Sequence, residues 1–215
     1  NAFTLRQPSD ANAIRQAANN SDTVVIIGGG YIGLEVAASL RKKGMAVTVI
    51  EAAERILARV ASEPLAERLT KLHEDNGVKV LTGVGVDSIN AEAGIFESVT
   101  LTSGEKIVGD MLITGIGVFP DSTLAANAGI ETQRKGGGAI LVDEAMRTSE
   151  KDVFAVGDVA LRRDQLLAVE SVHNAQETAA VAAAAVTGSI APTLQTPWFW
   201  SDQYDVKLQS VGVVP

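Results

Sequence analysis

Four β-branched residues, Val24-Val25-Ile26-Ile27, run directly into Gly28-Gly29-Gly30-Tyr31-Ile32-Gly33, and an apolar-periodic stretch follows through Leu34, Val36, Ala37 and Leu40. A short continuous β-branched run reads as a strand buried on both faces, and the stretch from Ile32 to Arg41 as a helix. The six residues between them have the spacing G-x-G-x-x-G. A helix that leaves a buried strand and packs back onto it needs a parallel neighbouring strand to return to. This one junction therefore commits the chain to an α/β sheet. By itself the hexapeptide is a weak signal, because glycines also close tight strand-to-helix turns for steric reasons alone. Its surroundings strengthen it: Ala46 to Ile50 is a second β-branched run, and it ends in an acid, Glu51.

The pattern repeats once more. Gly44 stops the first helix, and Pro64 to Asn76 reads as a second helix with Leu65, Leu69 and Leu72 on one side and Asn76-Gly77 as its stop. Val78 to Leu81 is then a third strand. Strand, helix, strand, helix, strand over Val24 to Leu81 predicts a Rossmann-like, doubly wound parallel sheet. Ahead of it, Thr4 to Asn19 reads as a polar lead-in and short helix, with Ser9 or Asp10 as N-cap. Beyond it the period changes. Val84 to Ile89, Ile95 to Thr102 and Lys106 to Val108 are short strands with turns at Ala93-Gly94 and Ser103-Gly104, which predicts an inserted antiparallel meander before the next buried strand, Met111 to Thr114. Val118 to Ala128 reads as loop and helix, Ala139 to Val142 and Val153 to Val156 as strands, Ser171 to Val186 as an alanine-rich helix, and Pro192 to Pro197 as a linker.

In such a junction each glycine has its own task. Gly28 permits the sharp turn, Gly30 lets a pyrophosphate approach the backbone, and Gly33 lets the helix pack against the strand. The helix amino terminus offers N–H groups and a positive dipole end to phosphates. Glu51 stands where an acid accepts hydrogen bonds from both adenosine ribose hydroxyls, and a carboxylate there repels a 2′-phosphate, which favours NAD over NADP. A solvated strand-end acid is the plain alternative. Arg55 and Arg59, on an expected short helix, could touch adenosine or pyrophosphate or could be surface charges.

Composition closes off other functions. The 215 residues carry 18 Lys and Arg against 26 Asp and Glu, a net charge of −8, which argues against a nucleic-acid or anionic-membrane binder. No cysteine is present, so disulfides, thiolate zinc sites and cysteine-ligated iron–sulfur clusters are excluded, and no metal site is expected. The apolar run Ala179 to Val186 is far short of the roughly 20 residues of a spanning helix. Asn1 to Asp10 lacks the features of a secretory signal, so the default location is cytoplasmic. The missing initiator Met and the apolar close at Val211 to Pro215 are read as marks of a piece of a longer protein.

Four motifs in order carry a family resemblance: Val24 to Glu35, Leu112-Ile-Thr-Gly-Ile-Gly-Val118, Val153-Phe-Ala-Val-Gly-Asp-Val159 and Pro197-Trp-Phe-Trp-Ser-Asp-Gln203. The first three resemble the FAD-dependent pyridine nucleotide–disulfide oxidoreductases. The fourth resembles the ferredoxin, putidaredoxin and rubredoxin reductases among them. The resemblance implies an NAD(H)-binding domain at 1–114, the C-terminal half of an FAD-binding α/β domain at 115–196, and the start of a C-terminal interface domain at 197–215. A second, FAD-binding glycine loop would lie upstream.

The resemblance also implies roles. FAD and NAD are the cofactors, with hydride passing from NADH to FAD and electrons from there to a ferredoxin- or rubredoxin-type protein. Gly28, Gly29, Gly30, Tyr31, Ile32, Gly33, Glu51 and Arg59 would hold the dinucleotide, and Gly115, Ile116 and Gly117 would border its nicotinamide end. Gly157 and Asp158 would meet the FAD ribityl chain, and Ser171, with Glu170 and His173, would start a flavin-adjacent helix. The candidate catalytic residues are Glu35, pointing to the flavin–nicotinamide junction, and Trp200, an apolar wall beside the flavin; Trp198 reads as packing and His173 as structural. The alternatives are an NADH oxidase or apoptosis-inducing-factor-like flavoprotein without an iron–sulfur partner, or an NAD-binding fragment inactive on its own.

Overall fold

A computed structural model describes residues 1–134 and 137–212. The last three residues of the expected 197–215 segment lie outside the described residues. Two compact units emerge, one of Asn1–Gly117 with Ser201–Leu208, the other of Val118–Trp200 with residues 209–212.

The first unit contains β1 (Ala2–Thr4), α1 (Pro8–Ala17), β2 (Thr23–Ile27), α2 (Tyr31–Lys42), β3 (Ala46–Ile50), α3 (Glu63–Asp75), β4 (Lys79–Leu81), β5 (Val86–Glu92), β6 (Ile95–Leu101), β7 (Lys106–Val108) and β8 (Met111–Thr114). Five strands form one parallel sheet in the order β1-β8-β2-β3-β4. The antiparallel meander β5-β6-β7 is a separate sheet. Why the strands read as continuous apolar runs is visible in β2. Val24 and Ile26 pack with Val36, Ala37 and Leu40 of α2 on one face, whereas Val25 packs with Phe96, Val99, Leu101 and Ile107 of the meander on the other. Both faces of the parallel sheet are covered, one by helices and one by the meander. The third cluster, Leu34, Ile56, Leu57, Ala66 and Leu69, joins α2 to α3.

Two local expectations differ from the structure, and one strand is additional to them. Helix α1 is capped by Gln7, not Ser9 or Asp10, because Pro8 is suited to the first helical position. Asp10 reaches back to accept the backbone N–H groups of Arg6 and Gln7, each at 2.8 Å. β1, which begins ahead of the polar lead-in and is marked by no sequence pattern, pairs edge-on with β8 in the register Ala2↔Leu112 to Thr4↔Thr114. The expected short helix around Arg55 is instead an irregular turn in which buried Leu57 takes φ +53°.

The second unit contains α4 (Thr123–Asn127), β9 (Thr132–Arg134), β10 (Gly137–Val142), a 3-10 turn (Gly157–Val159), β11 (Ala160–Arg162) and α5 (Val172–Thr187). Strand β10 lies between β11, its parallel neighbour, and antiparallel β9. Val142, Met146, Ala155, Ala160, Val181 and Ala182 form the core. The expected strand Val153 to Val156 is reduced to one bridge, Arg147↔Phe154. Left-handed backbone at Asp152 (φ +63°) and Gly157 (φ +71°) brackets that segment and prevents a longer ladder. The hairpin β12 (Trp198–Gln203) and β13 (Val206–Val211) turns at Tyr204-Asp205.

Candidate functional site

The site sits beyond the C-terminal ends of β2, β3 and β8, where the sheet order reverses around β2, the usual ligand position in open α/β sheets. The chain turns there without space to spare. Gly28 takes φ +111°, and a Cβ on it would stand 2.4 Å from the Gly115 carbonyl oxygen. A Cβ on Gly33 would stand 2.1 Å from the Gly28 oxygen. Gly30 is different: a Cβ there would meet nothing within 4 Å, so its missing side chain leaves open space at the mouth of α2. The first turn of a helix presents N–H groups without intrahelical acceptors, so that space is lined by donors.

Glu51 is tied to the loop. One carboxylate oxygen accepts the Gly29 N–H and the other the Ala53 N–H, each at 2.8 Å. Gly29 has its own steric reason, since a Cβ would lie 2.9 Å from Ile56 Cγ2 and 3.1 Å from Glu51 Cβ. Around these residues lies a cleft of about 110 Å³ whose lining includes Gly28, Gly30, Glu51, Arg59, Gly115 and Ile116. The Gly115 N–H donates to the Ile27 oxygen at 2.8 Å, and Gly117 (φ +104°) has Arg59 Nη2 within 3.1 Å of its absent Cβ.

The two arginines separate clearly. Arg59 lines the cleft. Arg55 turns away and donates to the carbonyl oxygens of Ile56, Leu57 and Ala58 at 3.2 to 3.5 Å, bracing the turn. Tyr31 and Ile32 belong to the loop through their backbone. The Tyr31 ring packs against the cluster joining α2 and α3, where burial pushes its phenol pKa up. The Ile32 side chain, with Glu35, lines a separate groove between α1 and α2 of about 380 Å³. Glu35 accepts a hydrogen bond from the Ser201 hydroxyl at 2.6 Å.

In the second unit the Gly157 N–H donates to Thr178 Oγ1 at 3.0 Å, and the Asp158 carboxylate next to it is exposed. Ser171 is the N-cap of α5, its hydroxyl accepting the Asn174 N–H at 3.1 Å. Trp198 and Trp200, two apart on β12, have ring centroids 5.4 Å apart, and the His173 ring lies tilted 5.7 Å from that of Trp198. Trp200 remains 40% exposed. Among the described residues no group of three or more His, Asp or Glu is placed to hold a metal ion, and no helix is long and apolar enough to cross a membrane.

A family model described as pyridine nucleotide-disulphide oxidoreductase matches residues 1–179. The chain belongs to this oxidoreductase family. A second model, reductase C-terminal, matches residues 198–215. A probable ferredoxin reductase of Castellaniella defragrans is 41% identical over 214 residues, covering 97% of this chain and 51% of that protein. Rhodocoxin reductase of Rhodococcus erythropolis is 39% identical, covering 97% of this chain and 49% of its own length. Among solved structures, putidaredoxin reductase in a covalent complex with putidaredoxin matches with a TM-score of 0.93 at 37% identity, over 99% of this chain and 52% of that one. The ferredoxin reductase for the CYP199A2 system of Rhodopseudomonas palustris matches with a TM-score of 0.91, also at 37% identity, over 98% of this chain and 52% of that one. The chain thus spans about half the length of the curated relatives it matches. The fold is that of the oxidoreductase family, with the parallel sheet and inserted meander read from the sequence.

Proposed function

We propose that this chain is part of an NADH-dependent flavoprotein reductase that passes electrons to a small iron–sulfur protein of the ferredoxin or rubredoxin type. In this reading residues 1–114 bind NAD(H), 115–196 contribute to an FAD domain, and 197–215 begin an interface domain. The single observation that carries the reading is the pairing of an open donor-lined cradle at Gly30 with a carboxylate, Glu51, locked onto the same loop. The residues fit a dinucleotide: N–H donors for a pyrophosphate, no Cβ in its path, and an acceptor fixed where a ribose lies.

Bound NADH and FAD supply the hydride and electron chemistry. The chain's residues bind, orient and exclude water. Each Glu51 oxygen, already held by one backbone N–H, keeps lone pairs for a ribose hydroxyl. A 2′-phosphate brought to about 4 Å of this carboxylate is opposed by about 4 kcal/mol at an effective dielectric of about 20. Arg59 on the same cleft offsets part of that and attracts the pyrophosphate. Gly115 and Gly117 keep side chains away from the nicotinamide end. Asp158 offers an exposed acceptor to a ribityl hydroxyl, the first turn of α5 offers N–H groups, and Trp200 offers an apolar wall. A reductase that draws on NADH belongs in the cytoplasm, where that donor is supplied.

Stopped-flow mixing of the intact FAD-loaded protein with NADH and a candidate carrier tests the reading. Stoichiometric reduction of a ferredoxin- or rubredoxin-type protein is expected. Flavin reduction by NADH followed by transfer to dioxygen alone, with no carrier reduced, would instead mark an oxidase.

A further inference from the structure

The first unit buries a run of polar side chains that do not line the cleft at Gly28 and Glu51. Ser201 and His73 are 0% exposed and Gln203 is 1% exposed. His73 lies in the last turn of α3; Ser201 and Gln203 are two apart on β12 and so share a face. Ser201 Oγ is 2.6 Å from Glu35 Oε1, Gln203 Nε2 is 3.0 Å from Ser201 Oγ, and His73 Nε2 is 2.8 Å from Gln203 Oε1. The Tyr204 hydroxyl stands 3.4 Å from His73 Nδ1.

The proton positions follow from the Glu35 end. A carboxylate only accepts, so the one Ser201 proton goes to Glu35. Ser201 Oγ must then accept from Gln203, which turns the amide NH₂ toward it and the amide oxygen toward His73. An amide oxygen also only accepts, so His73 carries its proton on Nε2, and Nδ1 is left to accept from Tyr204. All four bonds point the same way, and aligned bonds among buried groups strengthen one another. Burial holds the His73 pKa below its ordinary value near 6.5, so the ring is neutral at about pH 7 and has one tautomer to choose.

We propose that His73 is a positioning residue for Glu35: its Nε2–H holds the Gln203 amide in the one orientation that leaves the Ser201 hydroxyl no acceptor but the Glu35 carboxylate. Without the imidazole, the Gln203 amide is free to turn over and present its oxygen to Ser201. The Ser201 proton then goes to Gln203, and Glu35 is released to other rotamers. The consequence for hydride transfer rests on the reading that Glu35 faces the nicotinamide–flavin junction. A run that merely satisfies buried polar groups has the same tautomer but places no demand on the rate.

Two measurements on the intact FAD-loaded protein decide this. Long-range ¹H–¹⁵N correlation with ¹⁵N-labelled histidine reads the His73 tautomer directly and needs no variant to fold. The Nε2–H form is expected, and the Nδ1–H form overturns the proposal. Rapid-mixing kinetics of flavin reduction by NADH then compare Ser201→Ala, Gln203→Leu and His73→Leu. Each is expected to slow reduction by about fivefold or more while the NADH Kd stays within about twofold. His73→Leu combined with Glu35→Gln is expected to be no slower than Glu35→Gln alone. A wild-type rate in His73→Leu beside a slow Ser201→Ala overturns the relay. A wild-type rate in Glu35→Gln overturns only the junction reading, and the tautomer still decides whether His73 orients the run.

Discussion

At the residue scale, the glycines of the loop look interchangeable in a sequence and are not. Gly33 is required by contact, since a methyl group there would meet the Gly28 carbonyl oxygen at 2.1 Å, a backbone atom that cannot move aside. Gly30 has no such contact, since nothing in the chain lies within 4 Å of its absent Cβ. The two alanine variants should therefore fail in different ways. Gly33→Ala is expected to cost about 3 kcal/mol or more of stability, measured by denaturant unfolding. Gly30→Ala, at an N-cap with extended φ, is expected to stay within about 1 kcal/mol of the parent and to lose nucleotide affinity instead, measured by calorimetry. Equal stability losses in the two would remove the argument that Gly30 is kept open for a ligand.

At the scale of elements, the meander is the less obvious part of the fold. It does for one face of the parallel sheet what helices do for the other, with Phe96, Val99, Leu101 and Ile107 set against Val25, Ile50 and Leu112. Truncating Phe96 to alanine should cost about 3–5 kcal/mol if this is a true core, read as a shift of the unfolding midpoint; a change under about 1 kcal/mol would make the meander an appendage. The elements legible beforehand share one physical property: their pattern is complete within their own residues. Strands β3, β7 and β8 span the residues their β-branched runs marked out, Ala46–Ile50, Lys106–Val108 and Met111–Thr114. The elements that were missed depend on partners. β1 has three residues and no period, and exists because β8 offers an edge. The segment 153–156 has strand composition, but left-handed residues at both ends deny it a ladder. At the candidate site, the glycine spacing and the acid after β3 are local features of the sequence, and the structure joins them through the Gly29 N–H and the Glu51 carboxylate. The bracing role of Arg55 needed the turn carbonyls in place, and the Ser201–Gln203–His73 run joins residues 130 positions apart.

At the scale of the whole molecule, stability should depend on pH in a window set by His73. Asp10 and Asp110 are held below the ordinary carboxylate value of 3.8 by the N–H and hydroxyl groups they accept from, so their contribution is present above that value and is lost only in acid. His73 is held below 6.5 by burial. Below that value the unfolded chain takes up a proton that the folded chain resists, so stability is complete above about pH 6.5 and falls as the pH drops toward the folded value. Urea unfolding between about pH 7.5 and 5.5 is expected to show a loss of up to about 1.4 kcal/mol per pH unit. In His73→Leu that slope should be reduced. An identical slope in the variant would assign the loss to other groups.

A dinucleotide held between the Gly28–Gly33 loop and Glu51 is tested most directly by isothermal titration calorimetry of the chain with NADH and NADPH. The expected result is saturable NADH binding that is tighter than NADPH binding, with Glu51→Ala weakening NADH by about tenfold and narrowing the difference between the two, as the loss of charge-assisted hydrogen bonds requires. No heat with NADH, or affinities for both nucleotides that Glu51→Ala leaves unchanged, would contradict it.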